Sequence, residues 1–209
     1  MPTDLLLSVL SLVAHAAIAM TAALAAGRRS MDWVGVALLG CVTAMGGGSA
    51  RDVLLGHYPL SWVANPWLLA LTAGAALATI ALARVVHHLR VVFLILDAIG
   101  LVVFTITGCQ VALEMNQPLP IVIVAGLITG CVGGVIRDML CNDIPLLFRA
   151  ELYASVSVVT GAVYVGALHA GFGIHAAPLV AFIVGLTFRL LAIRYKWEMP
   201  KFVYTRDLH

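Results

Sequence analysis

Two segments of the chain place an arginine and an aspartate shortly after paired glycines. Residues 46–52 read GGGSARD, and residues 133–138 read GGVIRD. An offset of 86 residues relates four pairs of identical residues in them: Gly47 and Gly133, Gly48 and Gly134, Arg51 and Arg137, and Asp52 and Asp138. The same offset holds at Thr43 and Thr129, which indicates an internal duplication. Arginine and aspartate can form an ion pair, attract ions or bind a carboxylate, so these segments are the candidate sites.

The glycines are expected to weaken the helices that contain them. A glycine inside a helix costs ~1 kcal/mol relative to alanine, so Gly46, Gly47 and Gly48 predict a bend or a break. Gly133 and Gly134 predict a weaker one. Backbone groups freed by a break are tolerated in a membrane only where protein or a wet cavity receives them. Breaks in two oppositely oriented repeats would meet near the midplane, where a pathway is expected. The alternative is that the glycines only permit close helix packing.

The charges next to the glycines favour a pathway. A charge at the centre of a membrane helix costs ~2.5 to 3.5 kcal/mol on insertion scales, so it marks a pathway or an ion pair. Neighbours on a helix do not face each other, and we therefore expect neither arginine to pair with the aspartate that follows it. Arg51 and Arg137 are expected to face the pathway, with Asp52, Asp138 and Asp97 balancing them across the repeats. Snorkelling of the arginines to the membrane interface is the alternative.

Asp97 lies outside the duplicated segments, in the run FLILDAIG at residues 93–100. An intramembrane carboxylate is a functional candidate by default. Three roles are open for it: binding a cation, pairing with an arginine, or capping the start of a helix. Its counterpart in the duplication is Ser11, so the repeat supports none of these roles over the others.

The composition is that of an integral membrane protein. Hydrophobic residues make up 62% of the 209 residues and charged residues 11%, with a mean hydropathy of +1.05. This leaves too little polar surface for a water-soluble globule. The net charge of +2 gives no reason to expect nucleic acid as a partner. The four cysteines lack metal-ligand spacing, and no catalytic set can be assembled. We therefore expect no enzyme activity, no metal and no cofactor.

The apolar runs predict an all-α integral membrane fold with seven transmembrane helices in a single domain, residues 1–209. A helix needs about 20 apolar residues to cross the hydrocarbon core. Seven runs qualify: 5–26, 33–55, 62–83, 91–113, 119–140, 150–169 and 174–195. The duplication relates residues 5–84 to residues 91–170. Because each unit holds three spans, the second must cross the bilayer in the opposite sense. The prediction is an inverted 3+3 repeat followed by a seventh helix and a basic tail, residues 174–209.

The basic residues predict the orientation in the membrane. Lys and Arg concentrate on the cytoplasmic side of membrane proteins. Alternate connections and the tail hold nearly all of them: Arg28, Arg29, Arg84, Arg90, Arg149, Arg194, Lys196, Lys201 and Arg206. This places the N-terminus outside and the C-terminus in the cytoplasm. No Lys or Arg precedes the first run, so we expect an uncleaved helix rather than a signal peptide.

The residues GGGSARD at 46–52, GGVIRD at 133–138 and LDAIG at 96–100 resemble the bacterial branch of the TRIC family, the trimeric intracellular cation channels. The resemblance covers nearly the whole chain. It implies a homotrimer in the bacterial inner membrane, with membrane lipids around it and a pore in each protomer. The second and fifth spans would be glycine-kinked and line a path for potassium or sodium, gated by the arginines. The lysine-rich motif of the animal channels is absent here, so their voltage and lipid regulation does not carry over.

Three classes of function follow from these observations. A potassium channel uses Arg51 or Arg137 as a movable electrostatic plug. A secondary transporter for glycine or another small amino acid uses the same architecture, with an arginine holding the substrate carboxylate. Bacterial members of the resembling family also carry the label of a glycine-transporter domain. A scaffold without transport explains the small-residue packing but not the duplicated charges.

Overall fold

The computed structural model describes residues 5–83, 85, 88–149 and 152–197. In these ranges the chain is helical and has no strand. The helices are α1 Leu5–Arg28, α2 Trp33–Leu55, α3 Ser61–Ala64, α4 Trp67–Leu82, α5 Leu89–Glu114, α6 Leu119–Leu140, α7 Leu146–Arg149, α8 Tyr153–His169 and α9 Ala176–Tyr195. The chain is therefore an all-helical, multi-pass membrane protein. Several predicted cytoplasmic charges, Arg84, Lys201 and Arg206, lie outside the described residues.

Within the described ranges, five helices are long and apolar enough to cross a membrane: α1, α2, α5, α6 and α9. The third and sixth predicted spans are not single helices. Each is divided into a short helix and a longer apolar one, α3 with α4 and α7 with α8, and the longer members have only 16 and 17 residues. Asn65 and Pro66 separate α3 from α4, because proline restricts the residue before it. The count of seven complete spans stays a prediction.

The bounds of α2 follow from its flanking residues. The Asp32 side chain accepts a hydrogen bond from the Gly35 backbone N–H at 2.7 Å, which satisfies one free donor of the first turn. Gly56 ends the helix with φ of 69°, a left-handed conformation that glycine adopts without strain. Between these caps α2 matches the predicted run, residues 33–55.

The helices run between two ends of the bundle, which we name the amino-terminal face, where α1 begins, and the opposite face, where α1 ends. An ion pair of 2.6 Å joins Arg29, after α1, to Asp143, after α6. The Arg28 guanidinium lies 5.0 Å from the ring centroid of Phe93, near the start of α5. Accordingly α1 and α6 end at the opposite face, and α2 and α5 end at the amino-terminal face.

The core consists of two apolar clusters on either side of the contact between α2 and α6. One draws on α1, α2, α4 and α5, and the other on α5, α6, α8 and α9. Helix α6 packs against α2, α5 and α8, while α9 packs against α5 and α8. The pair of duplicated helices, α2 and α6, therefore lies at the centre of the molecule, and α9 covers the side formed by the second repeat.

Candidate ion pathway

The duplicated glycines bring α2 and α6 into direct backbone contact. A Cβ atom built on Gly47 would collide with the carbonyl oxygen of Thr129, and one built on Gly133 would collide with the carbonyl oxygen of Thr43. Thr43 and Thr129 are themselves 86 residues apart, so the two contacts are equivalent in the duplication. Any side chain at either glycine would force the helices apart.

The expected break in these helices is absent. Both α2 and α6 remain helical through their glycines. The predicted unwinding at Gly46 to Gly48, and at Gly133 and Gly134, therefore does not occur, and the packing alternative accounts for the contacts of Gly47 and Gly133. The physical reason is that a close crossing compensates the low helix propensity of glycine through backbone contact, as small residues do in membrane bundles. A bend without loss of helix stays a prediction.

The last glycine of each group lies beside the arginine that follows it. A Cβ on Gly48 would lie 3.9 Å from an Nη2 atom, that of Arg51, and a Cβ on Gly134 would lie 3.6 Å from Nη2 of Arg137. Gly46 packs differently, because its Cβ would lie 2.7 Å from Cδ1 of Ile136, a flexible side-chain end. The three glycines of α2 thus have three distinct environments.

Arg51 pairs with the aspartate that follows it, contrary to the sequence prediction. Its Nε and Nη2 donate to Oδ1 of Asp52 at 2.9 and 2.6 Å, and Nη2 also donates to the Ser61 hydroxyl at 3.3 Å. The prediction considered only the directions in which the two side chains leave the helix, and it neglected the flexibility of the arginine side chain. The long arginine stem instead folds back along the helix and reaches its neighbour.

Arg137 makes the equivalent pair and additional contacts. Its Nε donates to Oδ1 of Asp138 at 2.8 Å. Its Nη1 donates to Oδ1 of Asp97 and to the Thr21 hydroxyl, at 2.8 and 2.9 Å. The guanidinium also lies 4.6 Å from the ring centroid of Phe93. Arg137 is completely buried, so several partners compensate for its desolvation.

Asp97 has the arginine-pairing role among the three that the sequence left open. Helix α5 begins at Leu89, two turns before Asp97, which excludes a cap at the helix start. The pair lies within the second repeat rather than across repeats, but Thr21, from the first repeat, shares the Arg137 Nη1 group. The balance across the repeats that we predicted is thus limited to a hydroxyl.

The duplicated aspartates have a second role that the sequence analysis missed. Oδ2 of Asp52 accepts the backbone N–H and the hydroxyl of Ser61, at 3.2 and 3.0 Å, where α3 begins. Oδ2 of Asp138 accepts the backbone N–H of Leu146 at 2.9 Å, where α7 begins. Each aspartate therefore holds its arginine with one oxygen and the start of a short helix with the other.

A cavity of about 430 Å³ lies beside Arg51 on the amino-terminal face. Its outer wall includes Asn65 and Trp67, which are exposed, so the cavity opens at that face. It extends inward to Thr129, at the crossing of α2 and α6. Hydroxyl and amide groups make up much of its polar lining: Ser8, Ser11, Ser49, Ser61, Asn65, Thr107, Gln110 and Thr129.

Among the described residues, Arg51 is the charged residue in the lining of this cavity, and no carboxylate of that part of the chain lines it. His15 of α1 also lines it and hydrogen-bonds the Ser11 carbonyl through Nδ1 at 2.7 Å. The structure therefore brings together the first copy of the duplicated segment and the starts of α1 and α4. Asp97 and Arg137 lie elsewhere, in the buried cluster toward the opposite face.

Arg189 of α9 is a further buried charge that the sequence analysis passed over. It is completely buried, and its guanidinium lies 4.7 Å from the ring centroid of Tyr153. The signal was available, since an arginine inside the apolar run 174–195 meets the same cost as the duplicated arginines. It was missed because it has no place in the repeat.

Comparison with known proteins identifies the family. A family model described as Glycine transporter matches the chain twice, over residues 8–84 and 94–169, together well over half of its length. The chain belongs to this glycine transporter family. The resemblance to TRIC channels is confirmed as well, because the glycine transporter model and the solved bacterial TRIC channels match the same chain.

Proteins similar to this one cover nearly the whole chain. The UPF0126 inner membrane protein YadS of Escherichia coli strain K12 is 37% identical, covering 92% of this chain and 94% of that protein. The TRIC trimeric intracellular cation channel orthologue from Rhodobacter sphaeroides has a TM-score of 0.88 at 31% identity, covering 91% of this chain and 98% of that one. A second TRIC cation channel structure has a TM-score of 0.86 at 32% identity, covering 96% and 98%. These solved neighbours are channels rather than enzymes.

Proposed function

We propose that this protein is a channel for monovalent cations, chiefly potassium, with a pathway inside each protomer. The cavity on the amino-terminal face carries this proposal. It reaches from exposed residues at the end of the bundle to the α2–α6 crossing, and apart from Arg51 and His15 its polar lining consists mainly of neutral hydroxyl and amide groups. Such groups can replace part of the hydration shell of a cation without holding it tightly. The similarity to TRIC cation channels supports the same function.

The positive charge of Arg51 has to be reconciled with cation flow. A fixed guanidinium would repel cations, but two hydrogen bonds tie Arg51 to the fully buried Asp52 and make the pair neutral. Movement of Arg51 away from Asp52 toward the cavity would place a net positive charge beside the pathway. Arg51 is therefore proposed as the electrostatic gate, because it borders the cavity, whereas Arg137 is enclosed by protein.

The remaining features of the proposal follow from similarity and charge. A homotrimer in the bacterial inner membrane is proposed because relatives are named an inner membrane protein and a trimeric channel. The N-terminus is proposed to face outward, since Arg28, Arg29, Arg90 and Arg194 lie at or near helix ends on the opposite face. The cavity beside Arg51 would then be the outer entrance. Lipids contact the apolar exterior of the bundle.

Potassium efflux from liposomes tests the role of Arg51. The double variant Arg51→Ala/Asp52→Asn removes the gate without leaving a buried carboxylate unpaired, and we expect its basal efflux to exceed the wild-type value several-fold. Arg29→Ala is the matched control, because it removes an exposed arginine away from the cavity, and it should leave efflux unchanged. Unchanged efflux in the double variant would refute the gate.

Transport of glycine or another small amino acid is the second candidate function. The observation that favours it is the same arginine, because a guanidinium among hydroxyl groups suits a carboxylate, and the family model bears the name of a glycine transporter. Uptake of labelled glycine into liposomes distinguishes the two functions. A transporter would show saturable uptake that Arg51→Ala abolishes, whereas a channel would show none.

A further inference from the structure

Several residues that line the cavity have a polar counterpart in the other repeat, although Ser8, His15, Ser49, Ser61 and Gln110 correspond to apolar residues. Adding or subtracting the 86-residue offset converts cavity residues into residues near Arg137. The pairs are Arg51 with Arg137, Ser11 with Asp97, Thr129 with Thr43, Thr107 with Thr21, Met45 with Cys131, Gly48 with Gly134, Leu7 with Phe93 and Trp67 with Tyr153. The duplication therefore defines a second chamber, on the opposite side of the α2–α6 crossing, which we call the counterpart chamber.

The counterpart chamber is closed by side chains. Trp67 at the cavity mouth is 51% exposed, whereas Tyr153 is only 3% exposed. The Tyr153 hydroxyl lies 3.3 Å from where a Cβ of Gly134 would be, so this side chain fills the space next to the second glycine pair. Phe93 lies against the Arg137 guanidinium from the other direction. The volume that is open in the first repeat is thus occupied in the second.

Unsatisfied polar atoms line this closed chamber. Asp97 Oδ2, Arg137 Nη2 and Thr43 Oγ1 are buried and have no hydrogen-bond partner among the described residues. All three belong to positions whose counterparts, Ser11, Arg51 and Thr129, line the open cavity. A buried polar group without a partner costs ~1–3 kcal/mol. Admission of water would satisfy all three atoms, whereas a cation could bind only to the oxygens of Asp97 and Thr43.

Helix α9 accounts for the difference between the two chambers. It lies outside the duplication and packs against α8 and α5, with no equivalent in the first repeat. From this helix the buried Arg189 places its guanidinium 4.7 Å from the ring centroid of Tyr153. A cation over an aromatic face is attracted by the ring, more strongly when desolvated. Arg189 therefore holds the tyrosine in the position that closes the chamber.

We propose that the buried cluster around Asp97 and Arg137 is the closed inner half of the ion pathway, and that Tyr153, positioned by Arg189, is its gate. This inference rests on the proposed transport of ions past the α2–α6 crossing. It assigns the open cavity and the closed chamber to the two ends of one pathway. The described conformation is then open at the amino-terminal face and shut at the opposite face.

The natural Cys131 provides a reporter inside the closed chamber. It is buried, free and equivalent to Met45, which lines the open cavity. We would replace Cys41, Cys109 and Cys141 by alanine and follow modification of Cys131 in the detergent-solubilised full-length protein. A charged methanethiosulfonate reagent and intact-mass spectrometry give the rate. In the otherwise unchanged protein the reaction should be slow.

Two variants should open the chamber. In the same background, Tyr153→Ala removes the gate, and Arg189→Met removes the charge that positions it while retaining an unbranched buried side chain. We expect each to raise the modification rate of Cys131 at least about tenfold, the change that a population shift of ~1.4 kcal/mol produces. Tyr153→Phe keeps the ring and its contact with Arg189, so its rate should stay at the starting value.

Tyr164→Ala is the matched control, because it truncates another buried tyrosine of α8, only 4% exposed. An equal rise in this control would mean general loosening of the helix and would overturn the proposal. Failure of both opening variants to expose Cys131 would overturn it too. The modification of Cys131 is measured without any ion flux. If the opening variants expose Cys131 but the protein shows no conductance, the channel function is rejected and the role of Tyr153 in closing the chamber is retained.

Discussion

The three glycines of α2 allow packing to be separated from flexibility by single alanine substitutions. If the triplet acts as a hinge, each substitution stiffens the helix by a similar amount, ~1 kcal/mol in helix propensity. If it acts in packing, the effects must differ, because within the triplet only a Cβ on Gly47 would collide with backbone atoms. A Cβ there collides with the Thr129 carbonyl group, one at Gly46 meets the movable Cδ1 of Ile136, and one at Gly48 is in ordinary contact at 3.9 Å.

The expected magnitudes follow from these contacts. Overpacking costs ~1–3 kcal/mol, and the upper end applies to Gly47→Ala because a backbone carbonyl cannot turn aside. The higher helix propensity of alanine stabilises the variant by ~1 kcal/mol. The net loss in the free energy of unfolding is therefore ~2 kcal/mol. For a protein of this size that lowers the Tm by about 4–8 °C. Gly46→Ala should have a smaller effect, and Gly48→Ala should leave the Tm unchanged or slightly raised.

Thermal unfolding of the purified variants in one detergent measures these differences. The order of Tm values should be Gly48→Ala highest, Gly46→Ala next and Gly47→Ala lowest. The equivalent Gly133→Ala should resemble Gly47→Ala, since its Cβ meets the Thr43 carbonyl in the same way. Equal shifts in all three α2 variants would refute the packing interpretation and restore the hinge.

Two further predictions concern the charges. Arg137→Ala should cost ~3–5 kcal/mol, because it leaves the fully buried Asp97 without its cation. Arg51→Ala should cost less in the same thermal unfolding assay, since Asp52 keeps its other hydrogen-bond donors. Equal losses would contradict this explanation by the remaining donors. The exposed ion pair of Arg29 with Asp143 should contribute no more than ~1 kcal/mol in a double-mutant cycle, falling with added salt. A larger, salt-insensitive coupling would contradict this assignment.

The sequence predicted the helices and their central pair well. The 86-residue offset identified α2 and α6 as the duplicated helices, and apolar length placed α2 within its observed caps. These features depend on composition and periodicity, which are local properties of the chain. The sequence could not distinguish a broken helix from close helix packing, because the outcome depends on which atoms of the neighbouring helix lie next to Gly47.

The pairing of the candidate residues differs from the sequence prediction. Arg51 and Arg137 were expected to avoid the following aspartates, yet flexible side chains overcame the divergence of adjacent positions. The hydrogen bond from the start of α7 to Asp138 depends on a loop whose course the sequence does not specify. The role proposed for Arg189 could not be predicted either, because this residue lies outside the repeat. Its role depends on a contact with Tyr153 that only the three-dimensional structure shows.

The central claim, a cation pathway in this protein, is tested most directly by recording the purified wild-type protein in a planar bilayer with unequal potassium chloride on the two sides. The proposed function predicts discrete openings whose current reverses near the potassium equilibrium potential. Openings that reverse near the chloride potential would contradict the claim. A silent bilayer together with saturable glycine uptake into liposomes would contradict it as well and would make the cavity beside Arg51 a substrate site.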